Sequence, residues 1–272
     1  MNMLAINYIW LSDEKTPTLV NKCIKSWRKN LPSYEIVKWS KQSFIDAANS
    51  LNIENPLELD FVKEAMSVEK WAFASDYLRQ WILYYFGGLY FDSDLVIKKA
   101  FAKFVKENFK ENFVTFIEKH DNAYEQWAPL IDKDGNPKID EKIPGFCLQA
   151  AAMFGQKGNL FSKTCMDYYT DKHFILSNSK YYDDVLAPDV YAICARKFGF
   201  KYLDIIQNLD NNVAKIYPSF YVSCAIDSVS KKNIAHHLCA QSWNESENFY
   251  KEHPLIINDF YRKVKGLDKI FD

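Results

Sequence analysis

The chain reads as an α/β protein, and three features of its sequence predict this. The first is a nearly all-apolar run near the start, LAINYIW at 4–10, of the kind that is buried on both faces of a parallel sheet. The second is a helical spacing after it (Leu19, Cys23, Ile24, Trp27), with a return to strand pattern in LPSYEIVKWS, giving a β-α-β opening with a right-handed crossover. The third is the absence of any internal repeat or low-complexity linker, which makes one compact domain the simplest organisation.

The elements follow in order. A turn-rich SDEKTP leads into the first helix, with Pro17 suited to its first turn. Ligands of such folds bind beyond the carboxyl ends of the strands, where Trp10 falls. No GxGxxG follows that strand, which argues against a nicotinamide or flavin dehydrogenase. A long helix is expected over Ser67–Phe86, stopped by Gly87-Gly88, and a strand over LYFDSDLVI. The Lys-rich stretch 98–112 reads as a helix with a solvated face, and 128–145 as a loop or hairpin tip. FCLQAAAMFG reads as one buried strand, then helices over SKTCMDYYTDKHF and VLAPDVYAICARKFGF. Strand-like VAKIYPSFYVS and IAHHLCAQSWN follow, with an amphipathic tail from 246.

Composition narrows the function. The chain is 48% hydrophobic and 25% charged with a formal net charge of -1, so no global basic surface calls for nucleic acid. Its six cysteines are scattered without CxxC or metal-ligand spacing and are expected as free thiols in a reducing cytoplasm. The N-terminus lacks a signal-peptide pattern, and no apolar run reaches the roughly 18 residues of a membrane helix. Aromatic residues make up 16%, enough to offer stacking platforms for bases and sugars as well as core filling.

The chemistry concentrates at Asp92-Ser93-Asp94. On a strand both carboxylates would share one face, where hard oxygen ligands suit Mg²⁺ or Mn²⁺ and such an ion could clamp a pyrophosphate. If the strand ended at Phe91 they would instead be a solvated turn. Asp76 and Arg79, three apart on the preceding helix, are either a surface ion pair or a pair that holds a sugar's hydroxyls beside the metal. Tyr168-Tyr169 and Tyr181-Tyr182 suit an acceptor groove or plain packing, and Asp183-Asp184 a loop.

ASDYLRQWILYYFGGLYFDSDL closely resembles the signature of the DXD sugar-transferase family, glycosyltransferase family 32, which includes capsular polysaccharide synthesis enzymes and is related in motif to the clostridial glucosylating toxins. INYIWLS, SWRKNLPSYEIVKWS and IAHHLCAQSW are similar to that family's flanking segments, the last with one extra residue between His and Trp. The resemblance implies a GT-A-type nucleotide-sugar transferase fold, a mixed central sheet flanked by helices, as one catalytic domain over 1–272. Within it, 1–120 would be the donor and metal half, 121–245 the acceptor half and 246–272 a helical tail. It implies Trp10 stacked on the donor base, Asp76 and Arg79 on donor sugar or ribose, Tyr90 lining the nucleotide site, and Trp243 against the β-phosphate. Asp92 and Asp94 would serve Mn²⁺ or Mg²⁺ and the pyrophosphate, and His237 (or His236, since neighbours on a strand face oppositely) would complete the metal shell. Asp76, Arg79 and Asp94 are then the catalytic set. The family is retaining, so no base is assigned. A UDP-sugar is the favoured donor and a glycan or lipid-linked molecule the acceptor. The setting is cytoplasmic and compatible with peripheral attachment at the inner membrane face. Two other classes compete: a Mg²⁺ phosphohydrolase with Asp92 as nucleophile and Asp94 as general acid, and a carbohydrate-binding module without turnover.

Overall fold

The computed structural model of the chain describes residues 5–224 and 228–239. The expected opening is present: β1 (Ala5–Ile9), α1 (Thr18–Asn30) and β2 (Glu35–Trp39), with β1 and β2 parallel. Pro17 caps α1 from just outside its first turn. A helix not anticipated from sequence, α2 (Lys41–Leu51), starts at a reciprocal Ser40–Ser43 capping box and ends where Asn52 turns left-handed.

The helix expected over 67–86 is present but starts later, at Trp71, and a separate helix that was not anticipated precedes it. The preceding helix, α3 (Asp60–Ser67), ends where Glu69 takes φ 58° and the Lys70 amide returns to the Ala65 carbonyl at 2.9 Å; α4 (Trp71–Tyr85) then begins. The break lets Phe61, Val62 and Ala65 of one helix and Phe73, Ala74 and Leu78 of the other reach the same core, which one straight helix could not do.

The strand expected through LYFDSDLVI is two, β3 (Gly88–Phe91) and β4 (Leu95–Ile97), which belong to different sheets. The glycines before β3 are required by space. A Cβ on Gly88 would lie 2.7 Å from the Ala5 carbonyl oxygen, and one on Gly87 would lie 2.8 Å from the Lys157 amide. Buried Asn7 bonds both flanks of this turn, donating to the carbonyls of Gly87 and Leu89 and accepting from the Trp39 indole.

The chain continues through α5 (Lys99–Asn108), which buries Phe101, Phe104 and Val105 and turns Lys99, Lys103 and Lys106 outward, as expected. After β5 (Phe113–Lys119) and α6 (Asp121–Trp127), an isolated bridge between Ile131 and Pro137 closes the anticipated hairpin tip. FCLQAAAMFG forms not one strand but two, β6 (Phe146–Leu148) and β7 (Ala152–Gly155), each antiparallel to β5. The Gln149 amide, bonded to the Phe116 carbonyl, and the Gln149 side chain, which accepts from Ala151, form the bend between them. Then come α7 (Leu160–Tyr169), α8 (Ala187–Arg196), β8 (Gln207–Asn208), β9 (Lys215–Tyr217), β10 (Val222–Ser223) and β11 (Ala235–His237). The expected tail 246–272 lies outside the described residues.

The large sheet runs β2-β1-β3-β7-β5-β9-β8, with β6 attached to β5. It is a mixed sheet flanked by helices. Pairings β1/β2, β1/β3 and β5/β9 are parallel, while β7 is antiparallel to both neighbours. The carboxyl ends of β1, β3, β5 and β9 therefore share one edge. Tyr90 faces the core under α2, α3, α4, α7 and α8, while Leu89 and Phe91 face the core under α1 and α5. A small sheet, β10-β11-β4, packs at that edge, and the Trp27 indole ties α1 to it through the Leu95 carbonyl (2.7 Å).

Candidate active site

Asp92-Ser93-Asp94 is a turn and not a strand, which corrects the expectation of same-face carboxylates on one extended segment. The turn is closed by the Leu95 amide on the Asp92 carbonyl (3.0 Å), and the Asp92 amide bonds the Ala151 carbonyl (2.9 Å). It carries the chain from the large sheet into the small one. Nor is it the solvated turn that the plainer alternative supposes: Asp94 is only 8% exposed. The carboxylates converge because the turn folds them together and because β11 brings His237 opposite Leu95 in antiparallel register. The Leu238 amide bonds the Asp94 carbonyl (3.2 Å), and His237 Nε2 lies 3.4 Å from Asp94 Oδ1. Ligand atoms of Asp92, Asp94 and His237 all lie within 4.8 Å of one another.

Asp76 and Arg79 are not a surface pair. They are 7% and 5% exposed, on the face of α4 that meets Tyr90 and the turn. All three guanidinium nitrogens are engaged: Nε donates to the Ser75 carbonyl (3.0 Å), Nη1 to the Ala150 carbonyl (3.2 Å) and Asp92 (3.4 Å), and Nη2 to Asp76 (3.0 Å). Tyr90 donates its hydroxyl to the other Asp92 oxygen at 2.9 Å, and its ring lies 5.3 Å beneath the guanidinium. Burial works against the Arg79 charge, but Asp92, Tyr90, Tyr191 and Asp76 outweigh it and hold the group firmly protonated. For Asp76 the balance goes the other way. Burial, reinforced by Asp92 and only partly offset by Arg79, pushes its carboxyl up to about 7. Arg79 is thus shared between the two carboxylates, closer to Asp76 (3.0 Å) than to Asp92 (3.4 Å), and its charge does not fully offset the burial of Asp76.

The two histidines separate cleanly. His236 is fully buried, shares a 2.6 Å hydrogen bond with Ser223, and is pushed down to about 3 by burial and by Lys98. His237 points to the carboxylates. Burial opposes its protonation, but Cys239 and Asp94 outweigh that and raise it well above the ordinary range. His237 thus sits where the neighbouring carboxylate favours positive charge. Two carboxylates and an imidazole are the donor set of a Mn²⁺- or Mg²⁺-type ion, so these residues fit the expected cation.

Trp10 follows β1 at the same edge, with its amide on the Trp39 carbonyl (2.8 Å) and its indole donating to the Glu14 carbonyl (3.0 Å); it is partly exposed. Trp243 lies outside the described residues. Sequence reasoning did not find Tyr191, which donates to the Asp76 carbonyl (3.0 Å), or the Ala187 amide at the start of α8, which hydrogen-bonds the Asp76 carboxyl. Backbone groups and a tyrosine far along the chain carry no local signal.

Residues 17–112 match the profile of the family described as "Glycosyltransferase sugar-binding region containing DXD motif". Similar solved structures include "PaToxG Glycosyltransferase", 16% identical over 72% of this chain and 69% of that one, TM-score 0.42. Another is titled "crystal structure of a glycosyltransferase involved in the glycosylation of the major capsid of PBCV-1", 12% identical over 86% of this chain and 94% of that one, TM-score 0.42. Both overlaps are weak, and the site rests on its own residues. No curated protein matches the chain in sequence. Asp76, Arg79, Tyr90, Asp92 and Asp94 all lie within the residues that match this glycosyltransferase sugar-binding family.

Proposed function

We propose that this glycosyltransferase, retaining and of GT-A type, moves a hexose from a nucleotide-diphosphate sugar to a glycan, lipid-linked or other hydroxyl acceptor. A UDP-sugar is the favoured donor, and surface polysaccharide synthesis in the cytoplasm, with peripheral membrane attachment, the favoured setting. The carrying observation is the convergence of Asp92, Asp94 and His237 at the carboxyl edge of the sheet.

Asp92, Asp94 and His237 would hold Mn²⁺ or Mg²⁺, which supplies positive charge to a departing nucleoside diphosphate. The chain's own groups set up that arrangement. Arg79 and Tyr90 fix one Asp92 oxygen each, so the carboxylate cannot rotate away. β11 fixes Asp94 through Leu238 and His237. Trp10, at the same edge, offers its indole face to the donor base, and Asp76 and Arg79 back the sugar side. Engagement of both Asp92 oxygens disfavours the phosphohydrolase reading, in which that residue must present a free nucleophilic oxygen.

The test is nucleoside diphosphate release from a panel of nucleotide sugars with Mn²⁺. Turnover should vanish with EDTA and fall at least about 100-fold in Asp94→Ala, roughly 2.7 kcal/mol of transition-state stabilisation. Release that survives both treatments, or none with any donor, would overturn the reading.

A further inference from the structure

A second group of potential ligands lies beside the first. Glu118 is the penultimate residue of β5, His120 lies just past its end, and Cys224 follows β10. Glu118 Oε1 is 3.1 Å from His120 Nε2, and Cys224 Sγ is 3.9 Å from that same nitrogen. The three ligand atoms all lie within 4.8 Å of one another. Around a tetrahedral zinc-type ion, bond lengths of about 2.0–2.3 Å set an oxygen–nitrogen edge of about 3.3 Å and a sulfur–nitrogen edge of about 3.6 Å. The observed spacings differ from these by a few tenths of an ångström.

The surroundings argue against a simple ion pair. A His–carboxylate pair needs no thiol, yet Cys224, 5% exposed, is aimed at the shared nitrogen. Glu118 is mostly covered at 13% side-chain exposure, and His120 at 43% leaves the group open to solvent on one side. The donor set also differs in kind from the Asp92–Asp94–His237 group, since sulfur with imidazole selects softer ions than paired carboxylates do.

We propose that Glu118, His120 and Cys224 form a separate site for a zinc-type divalent ion, with its fourth position open to water on the His120 side. The ion would pin the end of β5 to the strand β10, which pairs with β11 and so with the segment carrying His237. Cys239 lies between the two groups: its thiol donates to the Cys224 carbonyl and sits 3.7 Å from His237 Nδ1. The assignment does not depend on sugar transfer.

Co²⁺ is the probe, added to the full chain after chelation and under a phosphine reductant. In the wild type one equivalent of the bound Co²⁺ should show a thiolate-to-cobalt absorption band and the intense visible bands of a tetrahedral ion, both displaced by Zn²⁺. Asp94→Asn and Cys239→Ser should keep the band, Cys224→Ser should lose it, and His120→Ala should weaken Co²⁺ binding at least about ten-fold. Absence of the band in the wild type, or its loss in Cys239→Ser but not in Cys224→Ser, would overturn the assignment. If Cys224→Ser does not fold, His120→Ala decides, because much of its side chain is exposed: unchanged Co²⁺ affinity there rejects the site.

Discussion

Replacing Arg79 by Lys keeps the charge and removes the fork. The guanidinium makes four hydrogen bonds in one plane, to Ser75, Ala150, Asp92 and Asp76. A lysine ammonium, with three tetrahedral donors on a shorter reach, can keep at most the contacts on one side. Two bonds lost, at about 1.5–3 kcal/mol each for bonds to a charged group, give a cost of about 3–6 kcal/mol. For a chain of this size that is a fall in Tm of roughly 6 °C or more. The buried position also means that Asp92 loses its anchor, so Mn²⁺ affinity and kcat should fall together. Calorimetry and Mn²⁺ titration on one preparation check this. A variant with Tm within about 1 °C of wild type and unchanged Mn²⁺ affinity would refute the reasoning, because the buried fork would then be holding nothing.

Tyr90→Phe removes only the hydroxyl on Asp92, so Mn²⁺ affinity should drop about 5–10-fold and Tm should fall by roughly 3 °C or more, less than in Arg79→Lys, measured by the same titration and calorimetry. Asp76 gives a pH test. Its folded value of about 7 lies above its ordinary 3.8, so the folded protein holds a proton that the unfolded chain releases. Stability is thus favoured at low pH and lost as pH rises from about 4 through about 7, by at most about 4 kcal/mol. In Asp76→Asn that slope should disappear, so urea midpoints of variant and wild type should diverge between pH 5 and pH 8; parallel curves would remove the buried charge from the account. Trp10→Ala should weaken nucleotide binding by roughly 1–3 kcal/mol if a base stacks on the indole. Its Tm should barely move, because the side chain is partly exposed; a large fall with normal binding would make it a packing residue.

The β-α-β opening, the Gly87-Gly88 stop and the mixed α/β class were legible because each has a local cause in periodicity or turn chemistry. The break at Glu69 was not. It carries no Gly or Pro, and the left-handed turn there exists because two apolar faces must meet one core. DSDLV reads as one strand with LYF, since apolar residues flank it on both sides; only the exchange of partners, β3 with β7 and β4 with β11, makes it a turn. The Asp76–Arg79 spacing was visible, whereas its burial depends on Tyr191 and the start of α8, far along the chain. A choice between His236 and His237 needed the register of β11 against β4.

That register has a consequence for how the protein is made. Asp92 and Asp94 leave the ribosome early, and their turn can close as soon as β3 and β4 exist. Their third partner arrives on β11, one of the last described strands, and a contact of such long sequence separation forms late in folding. A nascent chain therefore displays two neighbouring acidic groups without their imidazole while the residues between Asp94 and His237 are made. Cation capture at this pole should become tight only once β11 docks, so metal affinity during refolding reports the final step of assembly rather than the first.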